Sequence, residues 1–141
     1  MNSTQTRLSA LWIFATLNYL YCDVVSLMDS SKLRGFLSGS VGGLDISQQF
    51  LLPAAVLVEV PMAMVLVSRL TIGRANRAAN IAAGVFMTVV QFATLVATRP
   101  TVYYGFFSAI EIAATATIVV VAALGSRSAH QVAAAELEDA A

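Results

Sequence analysis

Four apolar stretches, at 8–28, 50–70, 78–98 and 102–124, fill most of this chain, and polar residues interrupt them only sparingly. A helix needs about 20 apolar residues to cross about 30 Å of hydrocarbon, and each stretch has that length. The pattern predicts an all-α fold: a polytopic, multi-pass membrane protein built as a four-transmembrane-helix bundle over residues 1–125, followed by a polar tail at 126–141. The connection at 29–49 is the one long one, and its Ser38-Gly39-Ser40-Val41-Gly42-Gly43 run reads as a flexible loop rather than an ordered lid. Leu33, Phe36 and Leu37 would let part of it lie on the membrane surface. Asp45 and Ser47 are candidate caps for the second span, with Pro53 tolerated in its first two turns. The tail, with Ala134-Ala135-Glu136-Leu137-Glu138-Asp139 near its end, is expected to fray into solvent.

Within the spans, polar positions recur at steps of three and four, which places them on one face of each helix. Trp12, Thr16, Tyr19, Asp23 and Ser26 make such a stripe in the first span. Asn80, Gly84, Met87, Gln91, Thr94 and Thr98 do so in the third, and Tyr104, Ser108, Glu111 and Thr115 in the fourth. In the second span Glu59 shares a face with Ala55, Met62, Ala63 and Leu66. These faces are expected to turn into the bundle and leave Leu, Val, Ile and Phe to the lipid. Small residues at fourfold spacing, Ala75-Ala79-Ala83 and Ala109-Ala113-Thr117, fit close helix packing.

Composition agrees with the spans: of 141 residues 58% are hydrophobic and 11% charged, against about 25% charged in a soluble domain. A net charge of zero offers no surface for nucleic acid. Arg7, Arg69, Arg74, Arg77 and Arg127 fall on one side of the spans and Lys32, Arg34 and Arg99 on the other, so the positive-inside rule puts both termini in the cytoplasm. The first span is too long for a signal peptide and lacks a cleavage site, and Tyr21 before Cys22 does not fit a lipoprotein. Cys22 is the only cysteine, which excludes an internal disulfide, CxxC chemistry and thiolate clusters. His130, the only histidine, lies in the tail and has no second histidine for a haem site. No nucleophile–His–acid set and no glycine-rich phosphate loop is present, so the sequence points neither to an enzyme nor to a cofactor or metal.

Three acids, Asp23, Glu59 and Glu111, change the picture, because no Lys or Arg lies in the same apolar cores to neutralise them. A charge at mid-bilayer costs roughly 3 to 10 kcal/mol or more, so an acid there needs a partner or a task. At ~1.5 Å per residue, Glu59 and Glu111 fall about 13 Å below the outer ends of their spans, Gln91 about 10 Å and Asp23 about 8 Å. If the stripes face one interior, these side chains converge on a site beneath the outer loop, with Tyr19, Tyr103 and Tyr104 as hydrogen-bond donors. Carboxyls gathered in so low a dielectric cannot all be charged, and at least one proton is held. Pro61 frees the carbonyl of Leu57 close to Glu59, making either an oxygen-rich coordination point or a kink that improves packing. Val58-Glu59-Val60 and Ile110-Glu111-Ile112 match faintly, too briefly to mark a duplication.

Three functions follow from such a site. The first is an outward-facing acidic pocket that binds a proton, a cation or a small ligand, formed by Asp23, Glu59, Glu111, Gln91, Tyr19 and Tyr104. As a carrier it would need alternating access, which four helices seldom provide alone, and so a homodimer. The second is a structural or accessory subunit whose acids only hydrogen-bond helix to helix. The third is a membrane enzyme acting on a lipid or quinone.

Leu17-Asn18-Tyr19-Leu20-Tyr21-Cys22-Asp23, Val58-Glu59-Val60-Pro61-Met62-Ala63-Met64, Arg74-Ala75-Asn76-Arg77-Ala78-Ala79-Asn80-Ile81-Ala82-Ala83-Gly84 and Tyr103-Tyr104-Gly105-Phe106-Phe107-Ser108-Ala109-Ile110-Glu111-Ile112 carry a likeness. On these stretches the chain resembles a family of small bacterial four-helix membrane proteins of unknown function, and more distantly the DoxX-like proteins. The resemblance implies a multi-pass bundle in the bacterial inner membrane, surrounded by lipid, and no established activity. A DoxX-like link to quinone or thiol metabolism is weakened by the single Cys22.

Overall fold

The structure, a computed structural model, describes the backbone of residues 3–41, 44–97 and 100–139 and the side chains of 3–40, 45–96 and 100–125. Its elements are α1 (Ser3–Met28), α2 (Ser30–Leu37), β1 (Ser40–Val41), β2 (Leu44–Asp45), α3 (Gln48–Leu70), α4 (Gly73–Ala97) and α5 (Val102–Asp139). Four of them, Ser3–Met28, Gln48–Leu70, Gly73–Val96 and Val102–Gly125, are long and apolar enough to cross a membrane. They form an up-and-down ring in which α1 lies against α3 and α5, and α4 lies against α5 and, more sparingly, α3. One end of the ring holds the start of α1 and the α3–α4 turn; the other holds α2. We call these the turn end and the α2 end.

Steps of three and four set the inward faces. In α1 the seam is Leu8, Trp12, Ala15, Cys22 and Ser26, with half-buried Tyr19 completing the period. In α4 it is Asn76, Asn80, Gly84, Met87 and Gln91, and in α5 Ser108, Glu111, Thr115, Ile118 and Ala122. Leu8, Trp12, Met64, Met87, Ile118 and Ala122 form the apolar core. At Gly84 the helices come so close that an added Cβ would sit 2.7 Å from Val119 Cγ2 and 3.3 Å from the Thr115 carbonyl. Close backbone approach of this kind lets dispersion hold helices together where lipid removes the hydrophobic drive. The Ala109-Ala113-Thr117 stripe does not do this work, because all three residues are exposed on the outside of α5.

A polar network at the turn end ties three helices together. Asn80 Oδ1 on α4 accepts from Trp12 Nε1 on α1 at 2.8 Å and from Ser68 Oγ on α3 at 2.9 Å. Its amide nitrogen donates to the Asn76 carbonyl at 2.8 Å and to Asn76 Oδ1 at 3.2 Å. Asn76 Nδ2 in turn closes the α3–α4 turn, donating to the Ser68 carbonyl at 2.9 Å and the Thr71 carbonyl at 3.0 Å. Gln5 Nε2 reaches that Thr71 carbonyl from α1 at 2.7 Å, and Arg69 Nε donates to Ser9 Oγ at 2.9 Å.

Where the glycine and serine content of the 29–49 connection predicts a flexible loop, its described residues form a short helix and two two-residue strands. Asp29 caps α2 by accepting from the Ser31 amide at 2.9 Å and the Lys32 amide at 3.4 Å. The helix ends at Gly39, whose φ of 77° is the left-handed turn glycine supplies without strain. β1 and β2 then pair antiparallel, Ser40 with Asp45 and Val41 with Leu44. Of the two candidate caps for α3, Ser47 does the work, accepting from the Phe50 amide at 3.3 Å. Past Gly125 the backbone stays helical to Asp139 where fraying was expected. The run of alanines with Glu and Leu there has high helix propensity. The side chain of His130 lies outside the described residues.

Candidate functional site

Glu111 stands at the centre of the α2-end half, about 13 Å along α5 from its start. It is 1% exposed, and its Oε1 has no hydrogen-bond partner among the described residues. The buried hydroxyl of Tyr19, also about 13 Å from its helix end, lies within electrostatic reach of Glu111 and likewise has no partner there. On α4, Gln91 is buried and donates from Nε2 to Ser108 Oγ at 2.8 Å, one turn from Glu111. The Gln91 side chain also adjoins the Tyr104 hydroxyl. One turn further in, Thr115 Oγ1 donates to the Glu111 carbonyl at 2.9 Å and shares a hydrogen bond of 2.7 Å with Thr88 Oγ1. Three helices, α1, α4 and α5, therefore build the site.

Asp23 sits at its rim. The α1 seam steps from Tyr19 to Cys22 rather than to Asp23, so Cys22 is buried and Asp23, rotated by one residue, is exposed. It remains within electrostatic reach of Glu111 below and Lys32 above. Lys32, the only lysine of the chain, projects from α2 with Nζ 5.1 Å from the ring centroids of both Tyr103 and Tyr104. Cation–π contacts of this geometry hold α2 over the α5 end of the site. Tyr103 adds a long hydrogen bond of 3.4 Å to Asp29 Oδ2, the carboxylate that caps α2.

Glu59 does not join the site. The face it shares with Ala55, Met62, Ala63 and Leu66 is the exposed face of α3, and the buried face is Pro61, Met64 and Ser68. At 100° per residue Glu59 lies opposite Ser68, so anchoring Ser68 on Asn80 turns Glu59 outward. The proline-freed carbonyl of Leu57 consequently belongs to a different face from the carboxyl beside it.

Of the six residues expected at the site, Glu111, Gln91, Tyr19 and Tyr104 come together, Asp23 borders them and Glu59 is elsewhere. Ser108 and Lys32 are the additions. Ser108 was visible on the Glu111 stripe; Lys32 could have been found only by reading Asp29 as a helix cap that turns it back over the bundle. Among the described residues no group of three or more His, Cys, Asp or Glu is placed to hold a metal ion.

Four membrane-length helices in an up-and-down ring, with a buried acid beneath one end, define a four-span membrane protein. The chain belongs to a family of unknown function, DUF6326, which matches residues 1–131. No curated protein and no solved structure matches it, and the comparisons provide no link to DoxX-like proteins.

Proposed function

We propose that the protein carries a proton- or cation-binding site in the outer half of the membrane, with Glu111 as the binding group and Asp23 at its mouth. One observation supports this above all: Glu111 Oε1 and the Tyr19 hydroxyl are both buried and both lack a hydrogen-bond partner among the described residues. An ionised carboxylate so placed costs several kcal/mol, so at rest it holds a proton or a cation. Gln91, Ser108, Tyr19 and Tyr104 surround it with oxygens that suit a hard cation or a proton relay, and the lone Cys22 gives no dithiol for quinone or thiol exchange. With both termini in the cytoplasm, the α2 end faces outward and Asp23 connects the site to that side. Hydrogen bonding between helices explains the turn-end network; it leaves the unpartnered atoms of Glu111 and Tyr19 unexplained.

Infrared difference spectroscopy of the reconstituted protein tests the reading. Raising external pH between about 5 and 9, or adding sodium or a small organic ammonium ion, should diminish the carbonyl band of a protonated carboxylic acid. Glu111→Gln should abolish that change and Glu59→Gln should preserve it. A band that ignores pH and cations alike would leave Glu111 a structural group.

A further inference from the structure

The outward face of α3 is a continuous apolar stripe with one carboxyl on its midline. Leu52, Ala55, Val56, Glu59, Met62, Ala63, Leu66 and Leu70 are all exposed, with Leu52 at 69%, Val56 at 60% and Leu66 at 60%. At 100° per residue they fall within about 60° of Glu59 on either side. Glu59 lies about 16 Å from the start of a 23-residue span, near the middle of the membrane layer. It makes no hydrogen bond or ion pair among the described residues, and no Lys or Arg of the spans lies at that depth. A lone carboxyl facing hydrocarbon is not a stable end point, so this face requires a cover that supplies a hydrogen-bonding group at one depth.

We propose that the cover is a second copy of this chain, packed α3 against α3 about a twofold axis along the membrane normal. Two copies inserted the same way carry Glu59 at the same height, so the axis brings each carboxyl to the other. A protonated carboxyl offers one O–H donor and an acceptor, and two of them satisfy each other. Ala55 and Ala63, one turn to either side of Glu59, leave room for the backbones to approach at that level. The interface is isologous and closes at the dimer. It uses none of the atoms around Glu111, so it stands or falls apart from the site proposed there.

Disulfide cross-linking of the full chain in native membranes tests the contact. In a Cys22→Ser background, Ala55→Cys and Ala63→Cys should yield a dimer of twice the monomer mass under oxidant. Val89→Cys on α4 and Val120→Cys on α5, at positions 60% and 53% exposed, should not. In liposomes of neutral phospholipid, Glu59→Leu should weaken the dimer by about 3- to 20-fold, the range of single interhelical hydrogen bonds, while Glu59→Gln retains it. Equal cross-linking at all four positions, an adduct to a different protein, or a Glu59→Leu dimer as tight as the parent would overturn the proposal.

Discussion

At the turn end, Asn80 uses two acceptor sites and two donors on Trp12, Ser68 and Asn76. At the α2 end, Glu111 is as deeply buried and keeps an oxygen without a partner among the described residues. Both residues are polar, both sit on inward seams, and both face three helices. Burial therefore does not separate them; saturation does. In a bilayer a saturated group is held by every neighbour it touches and locks helices together. An unsaturated one keeps the capacity to take a proton, an ion or another donor.

The largest effect should come from breaking the saturated end. Asn80→Leu fits the volume but strands the Trp12 indole N–H and the Ser68 hydroxyl. Each buried donor left unpaired costs about 1–3 kcal/mol, so with two of them the bundle should lose about 2–6 kcal/mol in a mixed-micelle denaturation titration. The α2-end exchange measured by infrared should survive wherever the variant remains folded. A loss below half a kcal/mol would mean that the network is decoration on a bundle held by packing alone.

The same substitution class at the other end should act with the opposite sign. Glu111→Met removes a polar group whose Oε1 has no partner among the described residues, so stability should stay level or rise by about 1 kcal/mol in the same titration. Proton or cation exchange should vanish. A destabilisation as large as that of Asn80→Leu would place Glu111 with the helix-locking groups and favour the accessory-subunit reading over a binding site.

The contrast also explains what the chain disclosed in advance. Where a helix carries polar residues every three or four positions along its length, as α4 does from Asn80 to Gln91 and α5 from Tyr104 to Thr115, the inward face follows from spacing alone. In α3, apart from Arg69 in its last turn, only Glu59 and Ser68 mark the central and turn-end parts of the span with polar side chains, and they lie on opposite faces. Weighting the charge turned Glu59 inward; the hydrogen bond from Ser68 to Asn80 decides the other way. That bond joins residues twelve apart across a turn, and no periodicity within α3 encodes it. In α1 the error is one position: Cys22 and Asp23 both continue the stripe from Tyr19, by steps of three and four. The smaller, less polar side chain takes the seam. The loop misled for a local reason, since Gly39, one of the glycines that signal flexibility, ends α2 in a left-handed turn from which β1 goes on to pair with β2.

The smallest expected effect concerns the lid of the unsaturated end. Lys32 touches two tyrosine faces, and each such contact near a surface is worth roughly 0.5–1 kcal/mol. Lys32→Gln keeps the length and polarity of the side chain but removes the charge that the rings attract. Amide hydrogen exchange over α2 should accelerate by about five-fold, the equivalent of about 1 kcal/mol of local opening. Exchange around Asn76 and Asn80 should not change, because nothing in that network reaches α2. Tyr103→Phe separates the ring from the hydroxyl: it keeps the cation–π face and loses the 3.4 Å bond to Asp29 together with the hydroxyl's contacts with Lys32, Thr101 and Ser26, so it should move α2 less than Lys32→Gln. Equal acceleration in the two variants would transfer the latch from the rings to the contacts of the Tyr103 hydroxyl. With α2 loosened, the infrared response of Glu111 to external pH should also become faster in a rapid-mixing experiment while its amplitude holds. Such a result would assign Lys32 to the route and the Glu111 carboxyl to the capacity of the proposed site.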